Sequence, residues 1–225
     1  MADYLACQNA TQRARNIRAA KFPKKIEVAA YNQIRRPLRD ALSQPGFARD
    51  DLDFLVAKLD TKAEREVGYN RDEAMRCARA VRAFQDTFNP KAFARCEVTP
   101  APSALFTRIE GVKINLTLDA TVTETKGDET RAGGIIILYA FSADRSGVKD
   151  RLSTAAGLML WVLEGGQMEP LPRLCMAADI AGKDIQKASA SHSRFRESIV
   201  NSCREVAAGW DNVEPPSDYD GQAWN

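Results

Sequence analysis

Seven arginines are the residues of this 225-residue chain whose type and spacing most directly suggest binding chemistry. Arg13, Arg15 and Arg18 share one N-terminal stretch, and Arg71, Arg76, Arg79 and Arg82 share another. A guanidinium group presents planar donors to phosphate and carboxylate oxygens. Several of them on one helix can grip the phosphates of DNA or an acidic protein, whereas a run of charge otherwise serves as a solvated face. Other chemistries have little footing. The single histidine, His192, lies among serines in Ser189-Ala190-Ser191-His192-Ser193. A serine hydrolase would need an acid and a GxSxG elbow, and no such elbow occurs. His192 therefore reads as a loop or cap residue. One histidine also argues against a multi-histidine metal site. There is no GxxxxGK[ST] phosphate loop and no GxGxxG after a strand.

Composition narrows the partner without naming one. The chain is 44% hydrophobic and 28% charged with a net charge of +2, which makes no global case for nucleic acid or membrane. The charge is polarised instead. Residues 1–50 hold ten Lys or Arg against four Asp or Glu, and residues 211–225 hold four acids and no base. No run of eighteen apolar residues exists, so no membrane span is expected. The N-terminus has no basic start followed by an apolar stretch, so no secretory signal is expected. Cys7, Cys77, Cys96, Cys175 and Cys203 are odd in number and widely spaced, with no CxxC pair. That suits free thiols in a reducing cytoplasm.

Helices must carry both arginine sets. Ala and Arg dominate residues 9–20, which predicts a basic helix of thin apolar content. From Lys25 to Leu42, Ile26, Ala30, Ile34, Leu38 and Leu42 recur every four residues, predicting a helix with one buried stripe. Pro37 falls inside it and predicts a kink near Arg36 or a second helix starting there. Asp50 or Asp51 is expected to cap a helix through Leu59. Asn70 with Glu73 resembles a capping box for a helix burying Ala74, Cys77, Ala78, Val81, Phe84 and Phe88. Residues 1–92 are thus expected to form a helical lobe.

An α/β core is expected over 93–210, and an acidic, flexible tail over 211–225. Residues 96–107, with two prolines, read as a bend. From Val112 to Thr123 every even position is apolar and every odd one polar, the pattern of a strand with one buried face. Ile135 to Phe141 is apolar on both faces, as a doubly covered central strand would be. Lys126-Gly127-Asp128-Glu129 between them suits a hairpin turn. A helix from Asp150 to Leu163, a strand over 171–180 with Pro172 at its start or edge, and a helix from Ser193 to Ala208 follow. Trp161 and Trp210 read as packing residues. The fold class is α+β (or α/β): a helical N-terminal lobe, then a small mixed sheet in strand, strand, helix, strand, helix order.

That order, with Asp119 on the polar face of its strand and an all-apolar strand after the hairpin, resembles the core of restriction-endonuclease-like PD-(D/E)XK nucleases of the RecB type. The resemblance covers roughly residues 70–180. It implies a Mg²⁺ site in which Asp119 is a metal ligand, joined by an acid-x-Lys pair on the next strand whose lysine activates water. The next strand, Ile136-Ile137-Leu138-Tyr139, has neither acid nor lysine. Glu124-Thr125-Lys126 is the one acid-x-Lys nearby. In an unbroken strand Glu124 and Lys126 have the opposite parity to Asp119, so joining them needs a bulge near Thr123.

The expectation that follows is a nuclease-like protein that has lost catalysis and binds DNA or an acidic protein, with no cofactor. The alternatives are an active Mg²⁺-dependent nuclease using Asp119, Glu124 and Lys126, and a structural protein forming a homodimer through a sheet edge or the last helix.

Overall fold

The computed structural model describes residues 9–23, 31–101, 104–139, 147–166, 168–219 and 221. Ile26 and Ala30 of the expected stripe, Ala140 and Phe141 of the second strand run, Cys7 and Trp224 lie outside the described residues. The chain has an α+β fold with a helical N-terminal part and a mixed sheet. Among the described residues, the helices are α1 (Ala10–Lys21), α2 (Asn32–Leu42), α3 (Arg49–Arg65), α4 (Gly68–Thr87), α5 (Val148–Leu163) and α6 (Ser193–Trp210). The strands are β1 (Glu97–Pro100), β2 (Leu105–Ile109), β3 (Val112–Leu116), β4 (Ala120–Lys126), β5 (Glu129–Leu138), β6 (Glu169–Asp179) and β7 (Asp184–Lys187). No described helix is long and apolar enough to cross a membrane.

Five strands form one sheet in the order β1-β4-β5-β6-β7, and β2 and β3 form a separate hairpin. Only β5 and β6 run parallel, joined through α5. The expected turn is present. Lys126 pairs with Glu129 across Gly127-Asp128, and Gly127 takes a φ of 61° that suits glycine. The stretch expected to be a bend over 96–107 instead supplies β1 and β2. Their apolar residues are too few for a periodic signal, and the pairing is decided by β4 and β3.

The long alternating run is broken. Val112–Leu116 pairs with β2, while Ala120–Lys126 pairs with β1 and β5. Leu116 and Leu118 join the core under α5, whereas Ala120 and Val122 join the core under α2, α3 and α4. Even residues stay buried or half-buried throughout, but residues 117–119 turn them from one core to the other. β5 fits the doubly covered expectation: Ile135, Ile137 and Tyr139 join the core under α2, α3 and α4, and Ile136 and Leu138 the core under α5. A third cluster packs Ile109 and Ile114 of the hairpin on Leu158, Ile199 and Cys203 of α5 and α6.

Two helix starts differ from expectation. α2 runs unbroken through Pro37, because Ile34, Leu38 and Leu42 on its stripe are all buried to 1% exposure or less. That packing outweighs one missing hydrogen bond. α4 begins at Gly68, so Asn70 is already helical and Glu73 caps nothing. Asp50 and Asp51 likewise lie within the first turn of α3, where a carboxylate still favours the positive end of the helix. α1 packs on the other end of the chain. Lys21 Nζ donates to the Trp210 carbonyl at 2.6 Å, and Phe22 meets the Tyr219 ring edge-on at 5.2 Å.

Candidate anion-binding site

The carboxyl ends of the parallel strands β5 and β6 are where an open α/β sheet offers a crevice. Tyr139 follows the last residue of β5 there. Helix α2 lays Arg35 and Arg39, one turn apart, across this end. The Arg35 guanidinium lies 5.4 Å from the Tyr139 ring centre, a cation–π contact. Arg39 Nε donates to the Asp119 carbonyl at 3.3 Å, and its Nη2 reaches the Ala101 carbonyl at 3.5 Å. Arg39 is thereby held in place, while Arg35 is exposed and has no ion-pair partner among the described residues. Tyr31 stacks on Tyr139 with ring centres 6.0 Å apart.

Tyr31 is tied to α4 by an unusual residue. Its φ of 70° is left-handed, a conformation that costs a non-glycine residue about 1–2 kcal/mol. The Glu73 carboxylate opposes that cost: Oε1 accepts the Tyr31 amide at 2.9 Å, and Oε2 accepts Arg76 Nη2 at 3.0 Å. Cys77 Sγ also donates to Oε1 at 3.6 Å. Burial, with the Glu73 charge added, pushes the Cys77 thiol up to about 12, so it stays protonated. Glu73 is a strut between α4 and α2, and its charge explains why a buried acid occurs in this helix. The charges of Arg76 and Arg79 act on Tyr31, and those of Arg35 and Arg39 on Tyr139. Of the four, Arg35 lies over the Tyr139 ring, while Arg76 is bonded to Glu73 and lies over the Tyr69 ring.

Asp119 closes the floor of the site. Its backbone amide donates to the Ile135 carbonyl at 2.8 Å, and its Oδ2 accepts the Ile137 amide at 2.7 Å. The carboxylate therefore holds β5 at the point where the chain leaves the hairpin for the main sheet. Burial raises its pKa above the usual carboxylate range, opposed by the Ile137 amide and then by Arg39 and Arg35. A carboxyl with a raised folded-state pKa binds its proton more tightly folded than unfolded. Its stabilising share is complete below the unfolded value and is lost as pH rises through the folded one. Asp119→Asn keeps an acceptor for Ile137 but no charge. Its stability relative to wild type is expected to improve as pH rises from the acid carboxylate range toward neutrality. Urea melts of both proteins along that range check it, and a pH-independent difference would contradict it.

Glu124 and Lys126 are not part of this cluster. Five residues of extended chain separate Asp119 from Glu124, roughly 17 Å at strand rise. Glu124 is ion-paired with Arg173 of β6, and Lys126 ends β4 as an exposed residue. Among the described residues no three His, Cys, Asp or Glu side chains group so as to hold a metal ion. Of the seven arginines singled out by sequence, Arg76 is bonded to Glu73, the residue that holds the Tyr31 amide, and the charges of Arg76 and Arg79 act on Tyr31. Arg13 pairs with Glu205 of α6 at 3.6 Å, and Arg82 pairs with Asp60 of α3. Arg15 and Arg18 stand exposed on α1 and Arg71 on the first turn of α4. His192 precedes α6, with Nε2 3.9 Å from Glu164.

Arg35, Arg39, Tyr31 and Tyr139 were not singled out by sequence. The one signal was the four-residue spacing of Arg35 and Arg39 on the helix that buries Ile34 and Leu38. No protein-family model matches the chain, and no curated protein is significantly similar to it.

Proposed function

We propose that this protein is a non-catalytic, nuclease-like binding protein that takes the acidic backbone of a nucleic-acid strand at the site of Arg35, Arg39, Arg76 and Arg79. One observation carries this reading. Where the resembled family sets Asp119 against a metal ion and a lysine, the Asp119 carboxylate here accepts the Ile137 amide, and Arg39 donates to the Asp119 backbone carbonyl. The positive charge at the strand ends comes from arginine, while Glu124 and Lys126 stand at the far end of β4. Such a site binds oxyanions and supplies no activated water. The buried thiols of Cys77, Cys175 and Cys203 accord with a reducing, cytoplasmic setting.

Salt dependence tests the reading. Four phosphate contacts on a single strand should give a slope of log affinity against log salt of roughly −3, since each contributes about −0.7. Arg35→Gln with Arg39→Gln should make that slope shallower by roughly 1.4. Fluorescence anisotropy with a short oligodeoxynucleotide measures both. Salt-independent binding, or none at low salt, would sink the proposal. Mg²⁺ or Mn²⁺ binding by calorimetry that vanishes in Asp119→Ala would overturn its non-catalytic part.

A further inference from the structure

We propose that the Tyr139 hydroxyl, Arg35 and Arg39 form a subsite for one terminal phosphate of a nucleic-acid strand. The inference rests on the reading above and sharpens it from backbone to strand end.

The Tyr139 hydroxyl is the first reason. Tyr139 is 7% exposed, and its hydroxyl is buried with no hydrogen-bond partner among the described residues. Buried side-chain donors in folded proteins are nearly always paired. Here the charges acting on the donor are Asp119, Arg35 and Arg39, two of the three positive. Burial and the neighbouring Asp119 charge hold the phenol proton firmly in place, so the group remains a donor. Arg35 covers the ring, is exposed, and its guanidinium has no hydrogen-bond or ion-pair partner among the described residues. Arg39 is fixed through Nε and Nη2, which leaves Nη1 without a bond among the described residues.

Depth is the second reason. Arg35 lies 5.4 Å from the Tyr139 ring centre, so an oxyanion bound by this exposed guanidinium is brought to the ring that carries the buried hydroxyl. An internal phosphodiester is flanked by nucleosides on both sides and presents two non-bridging oxygens at the strand surface. A terminal phosphate projects beyond its single nucleoside and offers three oxygens with greater charge. Only the projecting group can bond the buried hydroxyl and both guanidinium groups together, and charge-assisted bonds of this kind are the strong ones.

Three short oligodeoxynucleotides of one sequence test it, carrying a 5′-phosphate, a 3′-phosphate or hydroxyl ends. One phosphate-ended strand should bind about tenfold more tightly than the hydroxyl-ended strand, the value of one good charge-assisted contact. Tyr139→Phe keeps the ring and removes only the hydroxyl. It should abolish most of that preference, lowering phosphate-ended binding by a larger factor than hydroxyl-ended binding. Arg35→Gln should lower both affinities and the preference. Equal binding of all three strands, or a preference that survives in Tyr139→Phe, would overturn the strand-end inference and leave backbone binding standing. If no strand binds at low salt, both readings fail together. Inorganic phosphate that binds in a Tyr139-dependent way while no strand binds would also reject the inference, assigning the site to a small free anion.

Discussion

Gly133→Ala is expected to cost more stability than any other single-methyl change in the sheet, about 3 kcal/mol or more by overpacking in a site that cannot relax. A β-carbon at residue 133 would lie 2.3 Å from the Leu174 carbonyl oxygen and 2.4 Å from its carbonyl carbon. Both are backbone atoms of β6. The reason lies in the register. Ala132 pairs with Pro170 and Gly134 with Cys175, so the single residue Gly133 faces residues 171–174 across a bulge. Pro170 and Pro172 have no amide to offer the ladder, and β6 bows against β5 there. Gly157 gives the comparison. A β-carbon there would meet the Phe195 ring at 2.5 Å, but Phe195 is a half-buried side chain on α6 that can shift. Gly157→Ala is expected to cost about 1–2 kcal/mol. Urea midpoints at unchanged slope separate the two. Equal midpoints would show that β6 can move away from β5, and the bulge would then not be a fixed feature.

Tyr139→Phe should have the opposite sign in the absence of any ligand. A buried donor left unpaired costs roughly 1–3 kcal/mol, so removing the hydroxyl is expected to stabilise the protein by about 1 kcal/mol. For a chain of this length that is a rise in Tm of about 2–4 °C. The same substitution is expected to weaken phosphate-end binding. Gain of stability with loss of affinity is the mark of a group kept for a ligand rather than for the fold. A loss of stability in Tyr139→Phe would mean that the hydroxyl is satisfied within the folded chain, and its place in a binding site would fall. Tyr31→Phe is a control with the same change in chemistry on the partner ring.

The sequence by itself determined which side of each element is buried. Period-four spacing on α2 and period-two spacing from 112 to 122 follow from helix and strand geometry, and every residue those patterns placed inward among the described residues is buried or half-buried. The Gly127 turn and the doubly covered β5 were legible for the same local reason. Which core each inward side chain joins was not legible. Leu118 and Ala120 follow one alternation yet enter different cores, because Thr117–Asp119 passes from the hairpin to the main sheet, and that is fixed only by pairing with Ile135.

The candidate site was divided in the same way. The α4 arginines were visible as a row, and Asp119 as an acid on a strand's polar face. Their meaning changed when α2 brought Arg35 and Arg39 to the end of β5. Residues 35 and 139 are over a hundred positions apart, and no spacing rule links them. Glu73, read locally as a cap, became a strut because Tyr31 of another segment presents its amide there. Local geometry sets the faces of helices and strands. Only the packing of α2 and α4 on the sheet decides which charged faces meet.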